Sequence, residues 1–282
     1  MRVGLCGRGN MGAAIAERLA GAFELSVYDV DPALATVASP TELAGHSDAV
    51  VLSLPHAAAS REVVAELAPA LARGAVLIET STVAPDDVRA LAGDCAAAGV
   101  HLVDAAILSG VAQMREGTTA LLVGGEDAAV AAAAPVLDAL TPRQFRLGAL
   151  GSGMAAKVAN NAVSHAVMVV LLEATALADA SGVAPEVFAE LLAEPDAGLL
   201  RPLAHRLRER VLSGDFEGGM PMDAARKDSV LALRLAQEAG VPLFAIQGAH
   251  TPYELALAAG LAREDYAALA KLWEAWTGRS FR

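Results

Sequence analysis

Residues Val3 to Gly12 read VGLCGRGNMG, which sets Gly7, Gly9 and Gly12 in a G-x-G-x-x-G pattern. The pattern follows a short apolar β-like run, Arg2–Cys6, and opens an Ala/Leu-rich helical stretch. In that context each glycine has a physical reason. Gly7 permits a tight turn, Gly9 lets the backbone approach a pyrophosphate, and Gly12 allows close packing of helix on strand. Backbone amides at the helix start, around Asn10 and Met11, would face the phosphates. The motif therefore assigns Gly7, Arg8, Gly9, Asn10, Met11 and Gly12 to a dinucleotide. A glycine-rich turn without a ligand is the alternative, and the strand and helix on either side argue against it.

A second strand-like run ends at Tyr28-Asp29, with Asp29 lying 17 residues after Gly12, near the spacing of about 20 expected for the acid that binds the adenosine ribose. A carboxylate there accepts hydrogen bonds from the adenosine ribose and repels a 2′-phosphate. Asp31 adds negative charge, and no Arg or Lys follows closely. The expected cofactor is NAD, with NADP disfavoured, and no metal is expected. Asp31 is also placed to cap a helix beginning at Pro32.

The first half continues to alternate apolar runs with helical stretches. Strand candidates are 49–54, 75–79, 100–103, 119–123 and 144–147, with helical segments 11–20, 57–72, 85–98 and 127–139. This reads as βαβ units on a largely parallel sheet, an α/β Rossmann domain over residues 1–151. Leu54-Pro55 and Thr80-Ser81-Thr82 close two of the strands, where loops pass a bound cofactor. From Ser152 the pattern is helical almost to the end. Segment 152–181 lacks proline and predicts one helix of about 45 Å. Segments 199–212, 223–239, 243–259 and 263–276 predict an all-α second domain over 152–282, joined through the long helix.

Composition narrows the function classes. Of 282 residues, 55% are hydrophobic and 19% charged, which excludes a disordered chain. A net charge of −12 repels a phosphate backbone, so nucleic acid is not an expected partner. The cysteines, Cys6 and Cys95, cannot form a disulfide framework and suit a reducing compartment. The most apolar stretch, 162–178, carries His165 and Glu173, so no membrane span is expected. The first residues run straight into the glycine motif and lack a signal peptide's apolar region. The expected location is the cytoplasm.

Lys157 and Asn161, spaced i, i+4, share one face of the long helix, with His165 one further step along. Polar groups on an Ala/Val surface are costly to bury unsatisfied, which suggests a cleft. A desolvated Lys beside a cationic nicotinamide has a lowered pKa and can exchange a proton with a hydroxyl or carbonyl. A solvated Lys snorkelling from the helix is the alternative. His165 reads as a packing residue. Lys227-Asp228 alone reads as an exposed charge pair.

Together these segments resemble the β-hydroxyacid dehydrogenase family over nearly the whole chain. Val3 to Gly12 is similar to its cofactor motif, and Ser81-Thr82 through Pro85 to its S-T-x-x-P segment. Asp104 to Gly125 is similar to its substrate segment, and Lys227-Asp228 with Leu231-Ala232 to its K-D-x-x-L-A segment. The most specific match is Gly148 to Asn161, similar to G-x-x-G-x-G-x-x-x-K-x-x-N-N. The resemblance implies Lys157 as catalytic acid/base, with Asn161 binding substrate beside it. It also implies Leu54, Pro55, Thr82 and Lys227 on the nicotinamide side, and Ser109 and Gly110 on the substrate. The implied reaction is hydride transfer between NAD(P) and a small β-hydroxy acid such as 3-hydroxyisobutyrate. The implied assembly is a homodimer or homotetramer built on the long helix.

The substrate segment departs from the family's D-A-P-V-S-G-G. Here it is D-A-A-I-L-S-G, with Leu108 in place of the serine and Ser109 in place of the first glycine. Leu108 cannot donate a hydrogen bond. Either Ser109 takes over after a small backbone shift, or the substrate differs. Ala59 also replaces the asparagine usual after Leu-Pro. An imine reductase of the same fold is the competing enzyme reading, weakened by Lys157 and Asp29. A non-catalytic dinucleotide-binding protein is the third.

Overall fold

The computed structural model describes residues 1–195 and 198–282. The chain forms two compact units, Met1–Ala162 and Val163–Arg282. The division falls inside the long helix.

In the first unit, seven strands are β1 (Arg2–Cys6), β2 (Glu24–Tyr28), β3 (Ala49–Leu52), β4 (Val76–Glu79), β5 (His101–Ile107), β6 (Leu121–Gly124) and β7 (Gln144–Gly148). The helices are α1 (Asn10–Ala20), α2 (Pro40–Gly45), α3 (Ala57–Ala70), α4 (Pro85–Ala98), α5 (Val111–Glu116) and α6 (Asp127–Leu140). The long helix, α7 (Ser152–Ala180), begins in this unit. Strand order is β2-β1-β3-β4-β5-β6-β7. All pairs are parallel except β5 with β6. This is the expected Rossmann sheet, with its order reversing beside β1, where such folds bind ligands.

Alternation along the strands feeds two cores. Val51, Ile78 and Val103 face one cluster with α1 and α6. Leu52, Leu77 and Leu102 face the other with α3 and α4. Every residue of β3 and β4 is buried, as a strand covered on both faces requires. Each fully buried Leu or Ile contributes about 1.5–3 kcal/mol.

Several boundaries differ from expectation. β3 ends at Leu52, because Ser53 and Leu54 already turn into the loop. β5 runs on to Ile107 instead of stopping at Val103. Asp104 interrupts the apolar pattern but is fully buried, with its carboxylate satisfied by backbone amides. The expected strand at 119–123 begins at Leu121.

The second unit holds the rest of α7, then α8 (Pro185–Ala193), α9 (Met222–Ala239), α10 (Phe244–Ala258) and α11 (Ala270–Thr277). The segment expected as a helix over 199–212 is wound mostly as a π-helix, Pro202–Val211. The segment expected over 263–276 starts later, with a 3₁₀ turn at Tyr266–Leu269. Buried Asp265 sets that start, because its carboxylate accepts from the Ala267 amide at 2.9 Å. Glu173 of α7 accepts from the Phe244, Ala245 and Ile246 amides at 2.7, 2.9 and 3.0 Å. It thereby caps α10, whose first amides have no intrahelical partner.

By length and composition alone, α7 is long and apolar enough to cross a membrane. His165 is exposed instead of packed.

Candidate functional site

The glycine turn leaves β1 with Gly7 at φ +93°, a conformation that favours glycine. The Gly7 amide donates to Tyr28 O at 2.9 Å, tying the turn to β2. A Cβ on Gly7 would lie 2.2 Å from Ser53 O, and one on Gly12 would lie 2.0 Å from Gly7 O. Both glycines are therefore demanded by the fold itself. Gly9 differs, because a Cβ there would meet nothing within 4 Å. Its freedom is not needed for packing and leaves open space against the backbone, as a pyrophosphate requires.

That space belongs to a cleft of about 660 Å³ in the first unit. Gly7, Gly9, Asn10, Met11, Gly12, Asp29, Leu54 and Pro55 all line it, so eight expected cofactor residues converge. Asp29 is held rigidly. Its Oδ2 accepts from the Arg8 amide at 2.6 Å and its Oδ1 from the Asp31 amide at 2.9 Å. Asp31 caps the 3₁₀ turn at Pro32–Leu34 through the Ala33 amide, as its sequence position suggested. Glu62 and Glu66 of α3 also line the cleft, which adds negative charge to the same wall. The residues fit a dinucleotide with a free 2′-hydroxyl better than one with a 2′-phosphate.

Arg8 and Thr82 are exposed and do not line the cleft. The Arg8 guanidinium turns to Leu34 O at 3.3 Å, so only its amide serves the turn. Cys6 does line the cleft, but burial pushes its thiol up to about 12, with Asp29 and Glu79 reinforcing the shift. It is a packing group and not a nucleophile.

Beneath the loops after β3 and β4 lies a buried network that the sequence did not announce. Ser81 Oγ accepts from the Leu54 amide at 2.8 Å, and the Ser81 amide donates to Glu79 Oε1 at 2.8 Å. Thr80 Oγ1 donates to Leu52 O at 2.6 Å. These bonds pin the Leu54-Pro55 loop to the next strand end. The one signal available was Glu79, a carboxylate closing an otherwise apolar strand.

Burial raises the Glu79 carboxyl above its ordinary 4.5, with the Ser81 hydroxyl the strongest opposing contact. The folded state therefore holds this proton where the unfolded chain has released it. Its contribution to stability is fully present below about pH 4.5 and is lost as pH rises through the folded value. Glu79→Gln is accordingly expected to flatten the fall in urea midpoint over that window. Parallel slopes for variant and wild type would show that Glu79 does not titrate with folding.

The catalytic candidates sit on α7, whose start is bound to the sheet by Asp104. Its Oδ1 accepts from the Gly151 amide at 2.7 Å and its Oδ2 from the Met154 amide at 2.8 Å. Burial raises the Asp104 pKa, and the two amides pull against it. Gly153 allows the close approach, since a Cβ there would lie 2.2 Å from Leu122 O. One turn on, Lys157 is half-buried, and burial lowers its ammonium pKa below 10.5. Asn161 is half-buried one further turn along.

Ser109 and Gly110 lie between β5 and α5, with Ser109 partly buried and its hydroxyl bonded to that of Thr119. The Leu108 side chain packs against the core cluster on the α3/α4 face. Lys227 belongs to the second unit, on α9, exposed and 3.4 Å from Asp228.

Comparison with known proteins supplies the family. Residues 2–148 match the model described as the NAD binding domain of 6-phosphogluconate dehydrogenase. Residues 151–273 match that described as NAD-binding of NADP-dependent 3-hydroxyisobutyrate dehydrogenase. The chain is 31% identical to 2-(hydroxymethyl)glutarate dehydrogenase of Eubacterium barkeri, covering 99% of this chain and 97% of that one. It is 30% identical to the NAD-dependent L-serine dehydrogenase of Pseudomonas aeruginosa, covering 99% of each. An imine reductase structure from a Pseudomonas species aligns with a TM-score of 0.81 at 22% identity, over 96% of this chain and 99% of that one. At that identity the likeness concerns the fold. The chain belongs to the β-hydroxyacid dehydrogenase family and is an NAD-dependent oxidoreductase acting on a CH–OH group.

Proposed function

We propose that the chain oxidises the hydroxyl of a small β-hydroxy acid, 3-hydroxyisobutyrate-like in size, with Lys157 as general acid/base. The observation that carries this reading is a half-buried lysine of lowered pKa on a helix anchored by a buried carboxylate. NAD⁺, when bound, supplies the hydride acceptor. The neutral Lys157 amine takes the hydroxyl proton as the C–H hydride leaves the same carbon, and in reverse its ammonium returns that proton to the alkoxide. Asn161, Ser109 and the Gly110 amide orient the substrate, and Leu54 and Pro55 serve the nicotinamide side. Oxidation of 3-hydroxy acids by purified protein, followed as NADH absorbance, tests the reading.

The charge of the adenosine wall sets cofactor choice. Asp29→Asn is expected to narrow the NAD over NADP ratio of kcat/KM by roughly tenfold, because one full like charge no longer opposes the 2′-phosphate. Steady-state kinetics with both cofactors would reveal it, and an unchanged ratio would remove Asp29 from that role.

Imine reduction is the competing activity, supported by the altered D-A-A-I-L-S-G segment and the shared fold. Turnover of a cyclic imine with none of a hydroxy acid would favour it.

A homo-oligomer is supported by α7. Val163, Met168, Val169 and Leu172 are all exposed there, and a second copy of the helix suits such a stripe. The cytoplasm is supported by Cys6 and Cys95, both free buried thiols.

A further inference from the structure

The substrate segment has lost a hydroxyl at Leu108 and has one at Ser109. Leu108 is committed elsewhere, with its side chain in the core cluster and its amide donating to Ala120 O at 2.8 Å. Ser109 Oγ bonds to Thr119 Oγ1, and geometry alone permits either hydroxyl to donate.

Burial decides the direction. Thr119 is wholly buried, and its hydroxyl has Ser109 as its hydrogen-bond partner among the described residues. A Thr119 proton turned elsewhere would be a buried donor without an acceptor, which folded proteins avoid. Ser109 is only partly buried, so its own proton can reach water or a ligand. Thr119 is also fixed in place. Its amide donates to Gln113 O at 3.2 Å, and its carbonyl accepts from the buried Thr141 hydroxyl at 2.7 Å.

We infer that Thr119 donates to Ser109 and thereby turns the Ser109 O–H outward as the donor that grips the substrate carboxylate. Thr119 is then a positioning residue and Ser109 the contact. The inference rests on the β-hydroxy acid reading above, since it needs a substrate carboxylate. It answers how this chain binds one with leucine at position 108.

Thr119→Val keeps the shape and removes the hydroxyl. It is expected to raise KM for the hydroxy acid roughly tenfold, the loss of one oriented bond to a charged group, while kcat stays nearly constant. Thr119→Ser should restore KM. Ser109→Ala should raise KM as much as Thr119→Val, and the double variant no further, because both remove one unit. NADH affinity should not move. An unchanged KM in Thr119→Val, or additive effects in the double variant, would overturn the inference. If Thr119→Val does not fold, Ser109→Ala carries the test: it should lose the wild-type preference for a hydroxy acid over its carboxamide, and retaining it would overturn the anchor.

Absence of turnover on hydroxy acids would defeat the functional reading alone. The anchor is then read by calorimetry, titrating 3-hydroxypropionate into the NADH-loaded protein. Weaker binding to Thr119→Val than to wild type supports it, and equal binding, or none to either, overturns it.

Discussion

Replacing Lys157 with alanine is expected to lower kcat for hydroxy-acid oxidation by about 10²–10⁴-fold, the usual contribution of a positioned general acid/base. NADH affinity should be nearly unchanged, because Lys157 does not line the cofactor cleft. Burial lowers the lysine's pKa, so the neutral amine forms below the ordinary 10.5. The sign for oxidation follows. Activity rises with pH as the amine loses its proton, with an apparent pKa under 10.5, and this limb is absent from the alanine variant. For the reverse reduction the dependence inverts, since the ammonium is then the donor. Stopped-flow kinetics across pH would show both. Turnover within a few-fold of wild type in Lys157→Ala would exclude it from proton transfer.

Gly9→Val is expected to abolish cofactor binding while leaving the fold intact. The three motif glycines separate cleanly here. A Cβ at Gly7 or Gly12 collides with backbone oxygen at 2.2 and 2.0 Å, so substitution there damages the protein itself. Gly9 has φ −65° and ψ −165°, which other residues adopt, and open space where its side chain would go. A valine fills the space that a pyrophosphate needs. Losing two charge-assisted bonds to phosphate raises the NADH Kd by about 100-fold or more. The melting temperature without cofactor should match wild type, and the stabilisation by added NADH should vanish. Unaltered NADH binding by Gly9→Val would place the dinucleotide elsewhere.

Much of this architecture is legible in sequence because local pattern and tertiary environment agree. Val50 to Leu52 is wholly apolar and wholly buried, and the glycine spacing needs no partner to be read. What escapes notice depends on contacts across the fold. Asp104 looks like a strand end, but its burial makes sense only once the amides of Gly151 and Met154 arrive from distant sequence. Ser81 reads as one hydroxyl among three, and only β3 packed beside β4 shows it holding the Leu54 amide. Thr119 has no sequence signature, since its importance comes from Ser109 across the sheet connection. The start at Tyr266 was equally hidden, because buried Asp265 is a cap and not a helical residue. Polar residues placed by long-range backbone partners are thus the ones that residue pattern misreads.

The central claim is hydride transfer between NAD and a small hydroxy acid. The most direct measurement is NAD⁺ reduction, followed by absorbance, against 3-hydroxyisobutyrate, 3-hydroxypropionate, serine, glycerate and threonate. Saturable turnover of at least one member, lost in Lys157→Ala, is the predicted result. No turnover of any member by protein that binds NADH, together with reduction of a cyclic imine, would contradict it.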